Sequence, residues 1–176
     1  MDWRELLTYW QSKFRDGRPP SRNDLRPVEE VPSLLPRLFL IDVEGNQFRF
    51  RLIGTFIVAR AGRDSTGRLI DETLMPERGP QAWLDGLRKV ASTQEPVLGV
   101  TRPSSGLSAE YIALALPLVG EDGSTEMILG GLFNGQDFPF RREDHLGLIH
   151  TLVEYEFPGD LKDAVRPAPG GQSGSQ

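Results

Sequence analysis

The sequence predicts an α+β domain, and three observations predict it. Strand-like apolar segments fall into a group of two and a later group of three. Helix-periodic segments separate and flank these groups instead of alternating strictly with single strands, which is the pattern of an α+β chain and not of a parallel α/β sheet. The connections inside each group are short and turn-rich, which favours antiparallel neighbours. At 176 residues the chain suits one domain. Its expected divisions are an amphipathic helix and proline-rich connector over 1–36, a core over 37–136, a C-terminal helix over 137–160 and a disordered tail over 161–176.

The first element is a helix over residues 2–14. Trp3, Leu6, Leu7, Trp10 and Phe14 recur at spacings of three and four, with Arg4, Glu5, Gln11 and Lys13 off the stripe. Two tryptophans and a phenylalanine on one stripe are costly to leave in water, at ~25 cal/mol per Å². The stripe must therefore cover its own domain or a partner, most simply a second copy of the chain. From 15 to 37, Gly17, Pro19, Pro20, Pro27, Pro32 and Pro36 exclude a long helix or a central strand, because proline lacks the amide donor and biases its predecessor to extended geometry. An extended connector with a short turn near 28–35 is expected.

Residues 38–43 and 47–53 flank Glu44-Gly45-Asn46 and read as a hairpin. In the second strand Phe48, Phe50 and Leu52 alternate with Arg49 and Arg51, so one face is buried and one polar. A weak helix over 55–60 follows, then a glycine-containing loop, then a clearer helix over 78–92 with Ala82, Trp83, Leu87, Val90 and Ala91 on its apolar face. Strands are expected at 97–102, 109–119 and 126–133. A last helix is read over 142–156 from Leu146, Ile149, Leu152, Val153 and Tyr155. The end of the chain, 166–176, has no large apolar residue to anchor it.

Composition narrows the chemistry. The chain has no cysteine, which excludes disulfides, thiolate metal sites, a cysteine nucleophile and a cysteinyl-flavin adduct. A formal charge of −5 argues against general nucleic-acid binding. No run approaches the ~18 apolar residues that span a bilayer, and the N-terminus lacks a secretory pattern, so a cytoplasmic protein is expected.

The order of elements, together with particular residues, resembles a family of stand-alone bacterial PAS-like proteins. The residues are Trp10, Pro20-Ser21-Arg22, Asp24, Pro27, Leu35-Pro36, Leu40 with Asp42, Arg49-Phe-Arg-Leu-Ile-Gly-Thr55, Gly62-Arg63-Asp64, Thr66-Gly67 and Pro117-Leu118. The similarity covers residues 10–135, and the ordered set is more specific than any piece of it. The resemblance implies a five-stranded antiparallel sheet with helices on one face enclosing a ligand cavity. It also implies a sensory or dimerisation role, which the fold alone does not fix.

No catalytic constellation stands out. His145 and His150 lie about 140° apart around a helix and do not suit one metal. The helix over 78–92, where a haem-binding PAS domain usually finds its axial histidine, has none. Ser104-Ser105-Gly106 reads as a turn, and Gly130-Gly131 as a place of close packing. No catalytic residue, metal, haem or other cofactor is assigned, and the expectation is a non-enzyme. The candidate ligand cavity comprises Arg51, Thr55, Val58, Leu74, Trp83, Tyr111, Ala113 and Leu132, a mostly apolar set with a few polar groups. An ordinary filled core has the same character, so an unidentified small ligand stays open. Arg49 and Arg51 also admit a plain reading as exposed partners of Asp42 or Glu44 across the hairpin. The candidate partner surface is the stripe Trp3, Leu6, Leu7, Trp10 and Phe14, for a homodimer or a signalling protein. A dedicated small-molecule sensor is the alternative. A small isomerase or hydratase would need an inward acid–base residue that the sequence does not single out.

Overall fold

Helix α1 runs Trp3–Gln11, opened by Asp2, whose carboxylate accepts from the Arg4 amide at 3.1 Å. The computed structural model describes residues 2–71, 80–103, 111–135, 151–157 and 166–167. After α1 the connector folds into a 3₁₀ turn (Arg22–Asp24), the short helix α2 (Pro27–Glu30) and a second 3₁₀ stretch (Pro32–Arg37). Strands β1 (Leu38–Glu44) and β2 (Gln47–Ile53) then pair antiparallel around Gly45 and Asn46. Gly45 sits at φ +62°, the left-handed backbone that the first position of this two-residue hairpin needs. Helices α3 (Thr55–Ala61) and α4 (Pro80–Thr93) follow. Strands β3 (Val97–Pro103), β4 (Tyr111–Val119) and β5 (Thr125–Asn134) complete the expected five.

Those five strands form an antiparallel sheet in the order β2-β1-β5-β4-β3. The sheet then extends beyond β3. Residues Thr151–Phe157 form β6, parallel to β3, and Arg166–Pro167 form β7 against Tyr155 and Glu156. This corrects the C-terminal helix expected over 137–160: residues 151–157 are strand, while 136–150 lie outside the described residues. The reason is visible in Thr151-Leu-Val-Glu-Tyr-Glu-Phe157, where β-branched and aromatic residues recur at every second position. A short apolar run of this kind suits either period until a strand edge offers its hydrogen bonds. The pairing of 166–167 likewise departs from the expected disorder of the tail, since an open strand edge recruits backbone and needs no anchoring side chain.

Both faces of the sheet are covered. On one, α4 places Leu87 and Val90 over Phe39, Ile41, Phe48, Val97, Ala115 and Ile128. On the other, α1 and the connector cover Leu38, Leu40, Leu98, Ile112, Leu114, Leu116, Leu118, Leu129 and Phe133. Two glycines permit these approaches. A side chain at Gly54 would overlap the Pro36 carbonyl oxygen, so the Gly54 and Leu35-Pro36 pieces of the family signature exist for each other. A Cβ on Gly131 would lie 2.9 Å from Leu6 Cδ2 and 2.7 Å from the Phe133 ring, so Gly131 lets α1 sit down on the sheet. The close-packing reading of Gly130-Gly131 is thereby given its partners, since Gly130 makes the matching room for Phe39 on the other face.

A bulge interrupts the β1–β2 ladder: Ile41 faces Phe50 but Leu40 faces Leu52, leaving Arg51 as the extra residue. The bulge breaks the alternation expected of β2. Phe48 is buried, whereas Leu52 is turned to the other face and left 50 % exposed.

Candidate functional site

Two places answer to the sites expected from the sequence, one on each face. Under α3 and α4, Tyr111, Ala113 and Ala115 follow one another at every second position of β4 and so share a face. Leu132 sits opposite Ala113 on β5 and joins them. Trp83 of α4 packs edge-on to Phe39, ring centroids 5.7 Å apart, on this same face. Tyr111 and Ala113 are buried, and Val58, Trp83 and Leu132 are half-buried. Leu74 lies outside the described residues.

Two members of the expected cavity are elsewhere. Arg51, on the bulge, is exposed and pairs with Asp42 at 3.4 Å; Thr55 is exposed at the start of α3. The bulge puts the arginine outside the ladder, and the N-terminal position puts the threonine at the helix rim. Arg49 chelates Glu44 through two bonds of 2.8 and 3.0 Å, which holds the Glu44 carboxyl below its ordinary range. Both arginines thus follow the plain reading of a hairpin charge ladder.

In place of Arg51, the structure brings Arg60 to this face, its guanidinium 5.1 Å from the Tyr111 ring centroid. The Arg60 Nε and Trp83 Nε1 protons are buried and meet no acceptor among the described residues. Sequence reasoning missed Arg60. The available signal was its place in a weakly apolar helix, where a lone arginine at the last turn reads as an ordinary dipole partner.

On the opposite face, Trp3, Leu6, Leu7 and Trp10 are all at most 2 % exposed within the single chain. The partner surface expected from them is corrected accordingly: in this arrangement α1 covers its own sheet, and only Phe14, 38 % exposed, reaches solvent. Trp10 Nε1 donates to the Pro117 carbonyl at 2.8 Å, fixing α1 to β4. Trp3 Nε1 is buried with no acceptor among the described residues.

The connector clips α1 in place. The Tyr9 hydroxyl accepts from the Arg26 amide at 2.7 Å, and Lys13 is ion-paired with Glu30. Burial pushes the Tyr9 phenol up to about 12, while the Lys13 ammonium holds the Glu30 carboxyl below its ordinary range. Asp24 closes a capping box on Ser21, bonding its amide at 2.9 Å and its hydroxyl at 2.7 Å. The hydroxyl and amide of Ser21 lower the Asp24 carboxyl. The arm is therefore pinned by Ser21 with Asp24, and by Arg15 with Asp24 at 3.5 Å.

The PAS domain family profile matches residues 1–133. The chain belongs to the PAS domain family. It has the PAS sensory-domain fold. No curated protein matches it. Among solved structures it is similar to the PAS domain of Bordetella pertussis BvgS, at 18 % identity and TM-score 0.45, covering 68 % of this chain and 90 % of that one. It is also similar to a sensory-box sensor histidine kinase from Vibrio cholerae, at 15 % and 0.45, covering 61 % and 88 %. A light-oxygen-voltage domain matches at 15 % and 0.45, covering 66 % and 86 %. No helix of the described residues is long and apolar enough to cross a membrane. Among the described residues, no three acidic or histidine side chains converge as a metal site would require.

Proposed function

We propose that this PAS domain is a bacterial, cytoplasmic signalling module whose output is association with a second copy of itself, with α1 as the element that moves. The carrying observation is the cover that α1 makes over an apolar sheet face. Docked, α1 buries Leu114, Leu116 and Leu118 of β4 beneath Leu6, Leu7 and Trp10. Released, it would open that face, and a contiguous apolar face of this kind is a protein-association surface. The proline-rich arm supports this role, because it ties α1 by a few polar clips and not by continuous helix.

The input in this reading is a small ligand on the opposite face, among Trp83, Tyr111, Ala113 and Leu132. The Arg60 and Trp83 protons that meet no acceptor among the described residues would find one on such a ligand. The ligand must bind the docked and released states with different affinity, or nothing is transmitted. The reading gives the chain no catalytic step.

The test is the double variant Tyr9→Phe with Lys13→Ala, which unclips α1 from the connector and leaves the sheet face intact. The expected result is faster hydrogen exchange at α1 amides. It comes with a dimerisation constant raised about tenfold by sedimentation, the equivalent of about 1.4 kcal/mol of lost docking. A folded variant whose α1 exchanges faster but whose association is unchanged refutes the role.

A further inference from the structure

A separate groove of about 340 Å³ opens at the seam where the end of α1 meets the loop between α4 and β3. Trp10 and Phe14 form one wall, ring centroids 4.6 Å apart and nearly perpendicular, and Pro19 and Pro96 line it beside them. Gln11, Gln94 and Glu95 supply the polar side. This groove lies apart from the Trp83–Tyr111 face.

Its charge is one-sided: Glu95 is the one ionisable side chain in its lining. Trp10 Nε1 donates to Pro117 at 2.8 Å and Gln94 Nε2 donates to the Gly123 carbonyl at 2.6 Å, while Gln11 brings a neutral amide that donates or accepts. Those bonds leave the groove the amide oxygen of Gln94 and the carboxylate of Glu95 as acceptors. Glu95 is half-buried and meets no cation among the described residues. No lysine, arginine or histidine lines the groove. A half-buried carboxylate is stabilised by an opposite charge, and aromatic rings beside it favour a weakly hydrated organic cation over a metal ion. Gln94 holds the left-handed backbone, φ +57°, that ends α4, so its side-chain bond to Gly123 sets the loop that carries Glu95.

We propose that this groove binds a small organic cation of the guanidinium or alkylammonium class, with Glu95 as counter-ion and Phe14 as the aromatic contact. Binding here does not require that α1 ever leave the sheet, so the site stands or falls independently of the function proposed above.

The experiment is a titration of the full chain with ethylguanidinium chloride, followed by the indole N–H signal of Trp10 and the side-chain amide of Gln94. Ethylurea serves as the uncharged isostere, and sodium chloride matches the ionic strength. The expected result is saturable shifts with ethylguanidinium at low millimolar concentration and none with ethylurea. Glu95→Gln should weaken binding at least tenfold and Phe14→Ala about threefold, with both variants melting close to the parent because neither side chain is in the core. Equal responses to ethylurea and ethylguanidinium, no saturable response, or undiminished binding by Glu95→Gln would each overturn the proposal.

Discussion

The two tryptophans of α1 are buried alike but bonded differently, and this makes a matched prediction. Trp10 gives its indole proton to Pro117; Trp3, with Arg4 stacked 4.6 Å from its ring centroid, gives its proton to no acceptor among the described residues. Replacing either by phenylalanine removes the same ring fragment, a loss of about 1 kcal/mol at roughly 24 cal/mol per Å³ of cavity. At Trp10 the change also removes a hydrogen bond and leaves the Pro117 oxygen short of a donor, a further ~1–3 kcal/mol. At Trp3 it removes a buried unsatisfied donor, which returns ~1–3 kcal/mol of desolvation cost. Trp10→Phe should therefore destabilise by ~2–4 kcal/mol, whereas Trp3→Phe should fall between neutral and ~2 kcal/mol stabilising, the gap arising wholly from the two indole protons. Urea denaturation measures both, and the comparison holds where the slopes agree, since equal slopes mean equal exposed surface on unfolding. Equal midpoint losses in the two variants, or a larger loss at Trp3, would refute the argument. A confirmed gap would also make the N-terminal turn the weaker anchor of α1, the end from which a release begins.

Two further outcomes follow from the same geometry. Gly54→Ala meets the backbone oxygen of Pro36, which no rotamer can avoid, and should lower stability by ~1–3 kcal/mol or more. Gly45→Ala meets nothing within 4 Å and should lose only the ~1–2 kcal/mol of its left-handed backbone, both read from thermal melts. Stability should fall as pH rises from about 10 towards 12, because the folded chain keeps the Tyr9 proton that the unfolded chain gives up. Tyr9→Phe should flatten that alkaline limb, and an unchanged limb would show that Tyr9 is not its source.

The strands and helices that the sequence announces most clearly are those whose signals are local. The hairpin at Gly45-Asn46, the stripe of α1 and the apolar face of α4 each carry a turn residue or a period that needs no partner to be read. The ambiguous segments failed where the decision was not local. Residues 151–157 suit either period, and the edge of β3 decided for strand. Leu52 kept its alternation in the sequence but lost its burial to a one-residue bulge at Arg51. Arg51 and Thr55 read as cavity residues by type and order, while a bulge and a helix start placed them at the surface. Arg60 was passed over because its contact is with Tyr111, on another element entirely.

The sequence by itself determined the α+β class, the five antiparallel strands, the proline-rich arm and the existence of an apolar helix that had to be covered. Only the tertiary structure decided what covers it. A helical stripe records how much apolar surface must leave water, not whose surface it meets, because the hydrophobic effect is non-directional. The choice of its own sheet was made by contacts across the chain: the room left at Gly131 for Leu6, and the bond from Trp10 to a carbonyl 107 residues away.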